Sequence, residues 1–316
     1  TGERELFVQD EGNTIYLIND VGRILWKLPI DGKINSEVYQ VDMFKNGKLQ
    51  YLFSTPGHLY LIDRNGNYLP RFPLAFKSPC ERGISVADYE NNKNYRVFAP
   101  GADHHVYLYE VSGNFVKGWD VPKSDNDIVS KIYHFRVEGK DYLVYADRYR
   151  LYILDRKGKE RIKIASVLDL KENTDLYLVG KGDKARLVFA NATGGVHTVD
   201  FNGQEKKLDC GEISAGYRMN VADLNGDGVE DIVFTDSDRL FVYDLSGKLL
   251  YDKHLDARSL DYPYVYRFSA VDSRIGLIDR EQSRMLLLSP DGTMAKGFPI
   301  TGDSPFSIIF SGNDGF

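Results

Sequence analysis

The stretch Leu59-Tyr60-Leu61-Ile62-Asp63-Arg64-Asn65-Gly66 joins an apolar quartet to a polar turn that ends in glycine. Seven variants of this stretch occur in the 316-residue chain, and their glycines are Gly22, Gly66, Gly113, Gly158, Gly203, Gly247 and Gly292. Successive glycines are 44 to 47 residues apart, and the step from Gly292 through the chain end to Gly22 is 46 residues. A repeat of this length, made of short strands, is typical of a β-propeller. Because the period continues across the chain ends, it predicts a closed ring.

Each repeat can be divided into four antiparallel strands. An apolar run precedes the quartet, and an outer strand follows the glycine and often ends in a bulky aromatic residue, as at Trp26 and Trp119, which we expect to fill the gap between neighbouring sheets. Innermost strands are predicted at 38–41, 84–87, 133–137, 219–222 and 268–271. The first repeat lacks such a strand, and we expect Phe306 to Phe310 to complete it, which removes two open sheet edges. The prediction is therefore an all-β, seven-bladed β-propeller with four-stranded blades, forming one domain over residues 1–316.

The turns have a structural explanation. A polar or acidic residue stands three positions before each glycine, as Asp63, Asp155 and Asp244 do. A side-chain acceptor at this position stabilises a type I turn, and glycine enters the left-handed region that follows at little cost. We therefore interpret these acids as turn residues and not as catalytic groups.

Composition excludes several classes of protein. The formal net charge is −6, which gives no basic footprint for nucleic acid. No apolar run reaches the roughly 18–20 residues needed to span a bilayer, and no signal peptide is recognisable in this chain. The two cysteines, Cys80 and Cys210, fall three repeats apart, roughly across the predicted ring, so we expect them to be unpaired.

One loop has the spacing of a calcium site. The segment 223–231 places oxygen ligands at positions 1, 3, 5 and 9, a glycine at position 6, and a carbonyl at position 7. These predicted ligands are Asp223, Asn225, Asp227, Val229 through its carbonyl, and Asp231. Calcium takes six to eight hard oxygen ligands from a flexible loop. The alternative is a polar hairpin in which the same aspartates accept hydrogen bonds from backbone NH groups. A related loop, 88–93, has Lys93 in place of the glycine and is a weaker candidate.

A second group of polar residues is expected on the strands nearest the ring axis. Arg218 and Arg267 each stand five residues before an aspartate, and Asn220 and Ser269 each stand three before. Lys131 leads into the fourth innermost strand. Two arginines at a channel mouth could bind a carboxylate, phosphate or sulfate. The alternative is that they form salt bridges between blades or lie solvated on the rim.

Two propeller families resemble this sequence. The run from Val221 to Phe234 resembles the FG-GAP/VCBS repeat of integrin-α-type propellers, and this resemblance implies a calcium ion held by the 223–231 loop. The longer phrase, an apolar strand followed by Tyr-Leu-Ile-Asp-x-x-Gly and later by Gly-Phe-Pro, is similar to repeats of the PQQ-like (quinoprotein-dehydrogenase-like) propellers. Those dehydrogenases usually have eight blades and many docking tryptophans, whereas this chain has seven repeats and two tryptophans. No quinone cofactor is therefore predicted.

The sequence predicts a function in binding and not in catalysis. No Ser/His/Asp or Cys/His set and no glycine-rich phosphate loop can be assembled from the motifs. We expect a scaffold for a protein or glycan partner, located in the periplasm, at the cell surface or in the medium, where free calcium is plentiful. The alternative is a propeller-type polysaccharide hydrolase or lyase in which Arg218 and Arg267 hold an acidic sugar. The oligomeric state is left open.

Overall fold

The fold is that of a computed structural model, which describes residues 5–269, 272–306 and 308. These residues form seven antiparallel sheets, and the only helical element among them is one 3-10 turn, Gly182–Lys184. The predicted all-β, seven-bladed β-propeller is thereby confirmed. By internal contacts the chain divides into two compact units, Thr1–Leu176 and Tyr177–Phe316. The organisation as one domain stays a prediction.

The first unit contains four sheets. Its strands are β1 (Glu5–Gln9), β2 (Thr14–Asn19), β3 (Ile24–Pro29), β4 (Tyr39–Val41), β5 (Gln50–Ser54), β6 (His58–Ile62), β7 (Leu74–Ala75), β8 (Ser85–Ala87), β9 (Arg96–Pro100), β10 (Val106–Glu110), β11 (Tyr133–Val137), β12 (Lys140–Ala146), β13 (Leu151–Leu154) and β14 (Glu160–Lys163). The strand orders are β1-β2-β3, β4-β5-β6-β7, β8-β9-β10 and β11-β12-β13-β14. Every neighbouring pair is therefore sequential and antiparallel, as in a meander.

The second unit contains three sheets of the same kind. Its strands are β15 (Tyr177–Val179), β16 (Arg186–Ala190), β17 (Val196–Asp200), β18 (Glu205–Leu208), β19 (Arg218–Ala222), β20 (Asp231–Asp236), β21 (Arg239–Tyr243), β22 (Leu249–His254), β23 (Tyr264–Arg267), β24 (Ser273–Asp279), β25 (Arg284–Leu288) and β26 (Ile300–Thr301). Each sheet has four strands in sequential order.

Two sheets of the first unit have three strands in the described part of the chain. In the third sheet, isolated bridges from His105 to Lys123 and from Tyr109 to Phe115 mark the path of the outer segment. In the first sheet, the strand expected from Phe306 to Phe310 lies mostly outside the described residues, which include only 306 and 308 of that range. Closure of the ring by this segment therefore stays a prediction.

The apolar quartets form the second strand of the first sheet and the third strand of the other six, and most of their side chains are buried. In β13 all four residues from Leu151 to Leu154 are buried, and neighbouring sheets pack their side chains together. Phe7 and Trp26 of the first sheet, for example, pack with Phe53 of the second. A strand that is covered on both faces has no solvent side, which explains why the quartets are continuous and not alternating.

The seven marker glycines adopt the predicted left-handed conformation, with φ between +77° and +90°. At several of them a side chain would also meet atoms of the preceding sheet, and at two of them these atoms belong to a tryptophan. A Cβ on Gly66 would lie 2.8 Å from Cδ2 of Trp26, and one on Gly158 would lie 3.2 Å from Cζ3 of Trp119. The expectation that these tryptophans fill the gap between neighbouring sheets is confirmed, because each ring lies against the turn of the next sheet.

One predicted strand is wrong. The innermost strand of the seventh repeat is expected at 268–271, but the structure has β23 at Tyr264–Arg267, which pairs with β24. Residues 270 and 271 are outside the described part, and the amides of Phe268 and Ser269 donate to the Asp272 carbonyl in a turn. The prediction used Asp272 as the counterpart of Asp223. The seventh hairpin is shorter than the sixth, and the strand therefore ends before the turn that contains this aspartate.

Candidate functional site

The predicted calcium loop is the hairpin between β19 and β20. Its ends are fixed by the ladder, since Ala222 pairs with Asp231 as the last pair of the two strands. The loop therefore begins at Asp223 and returns at Asp231, as the sequence predicts. All the predicted oxygen ligands lie on this one hairpin.

The side chains of the loop accept hydrogen bonds from its own backbone. Asp223 accepts from the amide of Gly226 at 2.7 Å through Oδ1 and from the amide of Gly228 at 3.0 Å through Oδ2. Asn225 Oδ1 accepts from the amide of Asp227 at 2.9 Å, and Asn225 Nδ2 donates to Asp227 Oδ2 at 3.0 Å. This is the arrangement of the polar hairpin, because the carboxylates compensate the loop's own NH groups.

Asp231 is the buried acid of the loop and is 6% exposed. Its Oδ2 accepts a hydrogen bond from the Leu224 amide at 3.3 Å. Burial, together with the charges of Asp227 and Asp223, raises the pKa of Asp231 to about 6, although the hydrogen bond from the Leu224 amide acts to lower it. The acid is therefore influenced by the charges of two other carboxylates of the same loop.

A cation from the next sheet reaches this loop. Arg267, the last residue of β23, places Nη2 3.1 Å from Oδ2 of Asp223. In the described part of the chain, no group of three or more His, Cys, Asp or Glu side chains has the arrangement of a metal site. As arranged, the loop's acids do not fit a calcium ion, since Asp223 is shared between backbone amides and a guanidinium group. Calcium binding itself stays a prediction from the sequence.

Two of the residues expected at a channel mouth, Arg218 and Arg267, lie on the innermost strands of the sixth and seventh sheets. The expectation that Arg218 and Arg267 occupy matching positions is wrong. Arg218 is the first residue of β19 and pairs with Thr235, whereas Arg267 is the last of β23 and pairs with Ser273. Positions five residues before the next aspartate are not equivalent in the two sheets, because the hairpin after β19 is longer than the hairpin after β23.

Most of the channel candidates contact other groups of the protein. Arg218 donates to the carbonyls of Gly216 and Tyr217 at 3.0 and 3.2 Å. Asn220 Nδ2 donates to the Pro263 carbonyl at 2.9 Å and thereby joins the sixth sheet to the connector before the seventh. Ser269 lies in the turn after β23. Lys131, in the first unit, has Nζ 3.2 Å from Oε1 of Glu37.

Histidine pairing is a feature that the sequence analysis missed. Each of the six histidines lies beside a carboxylate; the pairs are His58–Asp31, His104–Asp127, His105–Asp103, His134–Asp141, His197–Glu205 and His254–Asp238. His197, which replaces the quartet tyrosine, also stacks on Phe189 with ring centroids 5.7 Å apart. The partners stand at no fixed spacing in the sequence, so no motif could have indicated them.

The second unit contains a polar groove with a volume of about 850 Å³. Its walls are the hairpin 193–196, the segment 207–214 and Asp236. Ser214 donates to Asp236 from its amide at 2.8 Å and from its hydroxyl at 2.6 Å, which fixes one wall. Cys210 is 4% exposed, and burial raises the pKa of its thiol to about 11. We refer to this feature as the 193–214 groove.

Solved structures of low sequence identity share the fold. BamB from Moraxella catarrhalis is 15% identical with a TM-score of 0.59, over 96% of this chain and 91% of that chain. BBS1N in complex with ARL6DN is 13% identical with a TM-score of 0.53, over 93% and 87%. The dihydro-heme d1 dehydrogenase NirN in complex with DHE is 13% identical with a TM-score of 0.61, over 94% of this chain but 63% of NirN.

These likenesses show the β-propeller fold, in agreement with the resemblance to PQQ-like propellers, and at such identities they show the fold alone. No protein-family model matches the sequence, and no curated protein matches it significantly. Among the described residues, no helix has the length and apolar character required to cross a membrane.

Proposed function

We propose that the protein is a non-enzymatic binding module, in which the propeller presents a rigid surface to a protein or glycan partner. The observation that supports this proposal most directly is the use of the ionisable candidates in structural contacts. Arg267 is paired with Asp223, Lys131 with Glu37, and each histidine with a carboxylate. A group that binds or reacts with a substrate must be within its reach, and Arg267 and Lys131 contact carboxylates of the chain instead.

The 193–214 groove is the site we propose for the partner. Its volume lies within the range of roughly 300–1,000 Å³ found for ligand sites. Asp209, Glu212 and Lys207 are exposed along its walls. Charged and polar side chains along the walls suit an extended peptide or a sugar chain better than an apolar molecule. BBS1N, which shares the fold, is solved in complex with ARL6DN; for this chain, binding of a protein partner is part of the proposal.

A location outside the cytoplasm is also part of the proposal, supported by the resemblance to the two propeller families. The alternative function, hydrolysis or elimination on an acidic polysaccharide, requires Arg218 and Arg267 to meet in one cleft with an acid. Their positions at opposite ends of β19 and β23 give that alternative no support.

The experiment is a binding screen with a matched pair of variants. The intact chain is applied to arrays of glycans and of peptides, and each hit is measured again with Asp209→Lys/Glu212→Lys and with Glu11→Lys/Asp20→Lys. Both variants change the net charge equally, but only the first alters the groove. We expect the groove variant to lose at least tenfold in affinity and the control to keep wild-type affinity.

Two outcomes contradict the proposal. Equal affinity of the groove variant and the wild type would show that the partner binds elsewhere. Release of new reducing ends or unsaturated sugars from an acidic polysaccharide, abolished by Arg218→Ala, would show that the protein is an enzyme.

A further inference from the structure

The register of the sheets shows what Arg267 replaces. The sixth and seventh sheets can be aligned on the pairs that precede their outer turns, Ile232 with Tyr243 and Ile275 with Leu288. We then count residues from these pairs along the ladder between the first two strands of each sheet. By this count, Arg267 takes the position in the seventh sheet that Asp223 takes in the sixth. The seventh sheet therefore has a cation where the sixth has the first predicted calcium ligand, and this cation contacts that ligand.

In the first unit, too, an arginine takes the position that Asp223 takes in the sixth sheet. Leu143 pairs with Leu154 before the outer turn of the fourth sheet, and this register gives Arg136 the same position as Arg267. Arg136 Nη1 donates at 3.0 Å to the carbonyl of Tyr89, which belongs to the weaker calcium candidate, loop 88–93 of the preceding sheet. Each of the two loops that the sequence singles out is thus contacted by an arginine from the sheet that follows it.

In a third contact, a lysine of one sheet again reaches the hairpin of the preceding sheet. Asp42 holds the position of Asp223 in the second sheet, and its side chain is 1% exposed. Lys93 of the third sheet places Nζ 2.5 Å from Oδ2 of Asp42. In three places, therefore, a cationic side chain of one sheet compensates the hairpin after the innermost strand of the sheet before it.

We infer that Arg267 is the resident counter-ion of the 223–231 loop and that it opposes calcium binding there. A guanidinium group stays protonated at all ordinary pH values, so its charge cannot be relieved by losing a proton. A divalent cation coordinated by Asp223 would lie within a few ångströms of this charge. Solvent screens part of the repulsion because Arg267 is 56% exposed, but Asp223 is 12% exposed, and the repulsion is stronger on that side of the pair. The loop is then stabilised by the chain's own cation, and its calcium-type spacing does not by itself give a high-affinity site.

The test is a calorimetric titration of the intact chain with calcium chloride. Wild type is compared with Arg267→Gln, which removes the charge, with Arg267→Lys, which keeps it, and with Arg218→Gln, an exposed arginine that donates to backbone carbonyls. We expect Arg267→Gln to bind calcium at least tenfold more tightly than the other three proteins. Adding Asp227→Ala to Arg267→Gln should abolish that gain, because the binding would then lack a loop oxygen. Calcium should raise the melting temperature of Arg267→Gln and leave that of the wild type unchanged.

Three results would overturn the inference. The first is a wild-type dissociation constant in the range of calcium sensors, about 10⁻⁷–10⁻⁵ M, which decides the question even if a variant fails to fold. The second is equal affinity of the wild type and Arg267→Gln. The third is the absence of calcium binding by a folded Arg267→Gln, which would show that Arg267 is not what prevents coordination.

Discussion

Tyr60 donates a hydrogen bond from its phenol to Oδ1 of Asp31 at 2.6 Å, and so ties β6 to the connector that enters the second sheet. Thr55 donates to the same oxygen at 2.8 Å. The quartet tyrosine has an aspartate partner in three further sheets; these pairs are Tyr16–Asp10, Tyr107–Asp103 and Tyr152–Asp147. The tyrosine of the repeat therefore carries a polar contact as well as apolar surface, and this contact can be tested by removing one hydroxyl.

We expect Tyr60→Phe to lower the free energy of unfolding by about 1–2 kcal/mol, because a hydrogen bond to a carboxylate is lost and the aromatic packing is kept. The measurement is urea denaturation at pH 7. Tyr149→Phe is the matched control, since Tyr149 is 40% exposed and should change stability by less than about 0.5 kcal/mol. Equal stability of Tyr60→Phe and the wild type would show that the contact contributes nothing in solution.

The same variant should have a pH signature. Burial would raise the pKa of Asp31, but hydrogen bonds from Tyr60, Thr55 and His58 outweigh burial and hold it below the ordinary 3.8. The unfolded chain then binds this proton more readily, so the stabilisation is present above pH 3.8 and declines as the pH falls through the folded value. The difference between Tyr60→Phe and the wild type should be largest near neutral pH and should shrink below pH 3.8. A difference that grows on acidification would contradict this assignment.

Variants at two equivalent turn glycines allow the cost of backbone strain to be measured separately from the cost of a steric clash. Gly22 and Gly66 have φ of +78° and +81°, but a Cβ on Gly22 meets nothing within 4 Å, whereas one on Gly66 lies 2.8 Å from Trp26. We expect Gly22→Ala to cost about 1–2 kcal/mol for the left-handed conformation. Gly66→Ala should cost a further 1–3 kcal/mol, roughly the penalty of overpacking. Thermal denaturation of both variants measures the difference, and equal losses would mean that Trp26 moves aside freely.

The number and type of the elements could be predicted from the sequence because one phrase repeats at nearly constant length. Strands bounded by the marker glycines, such as β6 and β13, agree with the prediction since the glycine fixes the turn next to them. The innermost strand of the seventh sheet was misplaced because its only marker was Asp272, and the hairpin before that residue is of a different length. Local markers therefore locate a strand only where the loop between marker and strand is constant.

The site was harder to predict than the fold. The 223–231 loop was identified because its ligands lie on one continuous segment. The contact of Arg267 with Asp223 joins residues 44 positions apart, and it depends on which residue of β23 faces the preceding sheet. The histidine pairs and the 193–214 groove depend likewise on side chains from separate strands and connectors. Contacts of this kind carry no spacing in the sequence, and only the packed sheets reveal them.

Thiol accessibility provides a further prediction. Cys80 and Cys210 are both free and buried, with exposures of 0% and 4%, and burial raises the pKa of each thiol. Because the thiolate is the reactive form, we expect an aromatic disulfide reagent at pH 8 to react slowly with the folded chain. After unfolding in guanidinium chloride without reductant, it should titrate two thiols per chain. Fewer than two would contradict the prediction that the cysteines are unpaired.

Two arginines of the fourth sheet allow a buried ion pair to be compared with an exposed one. Arg156 places Nη2 2.5 Å from Oδ2 of Asp141, whose side chain is 7% exposed, and Arg148 places Nε 3.5 Å from Oδ1 of Asp169, which is 53% exposed. His134 also contacts Asp141, at 2.7 Å.

Arg156→Met should lower the free energy of unfolding by about 2–3 kcal/mol, because Asp141 then stays buried with one partner, although the partial exposure of Arg156 reduces the loss. Arg148→Met should change it by less than about 1 kcal/mol. Urea denaturation at pH 7 distinguishes these outcomes, and the double variant Arg156→Met/Asp141→Asn should recover part of the loss because it removes the buried charge that Arg156 no longer compensates. Failure of the double variant to recover stability would mean that Arg156 acts through its ion pair with Glu90 or its stacking on the Tyr89 ring, 4.6 Å away, and not through Asp141.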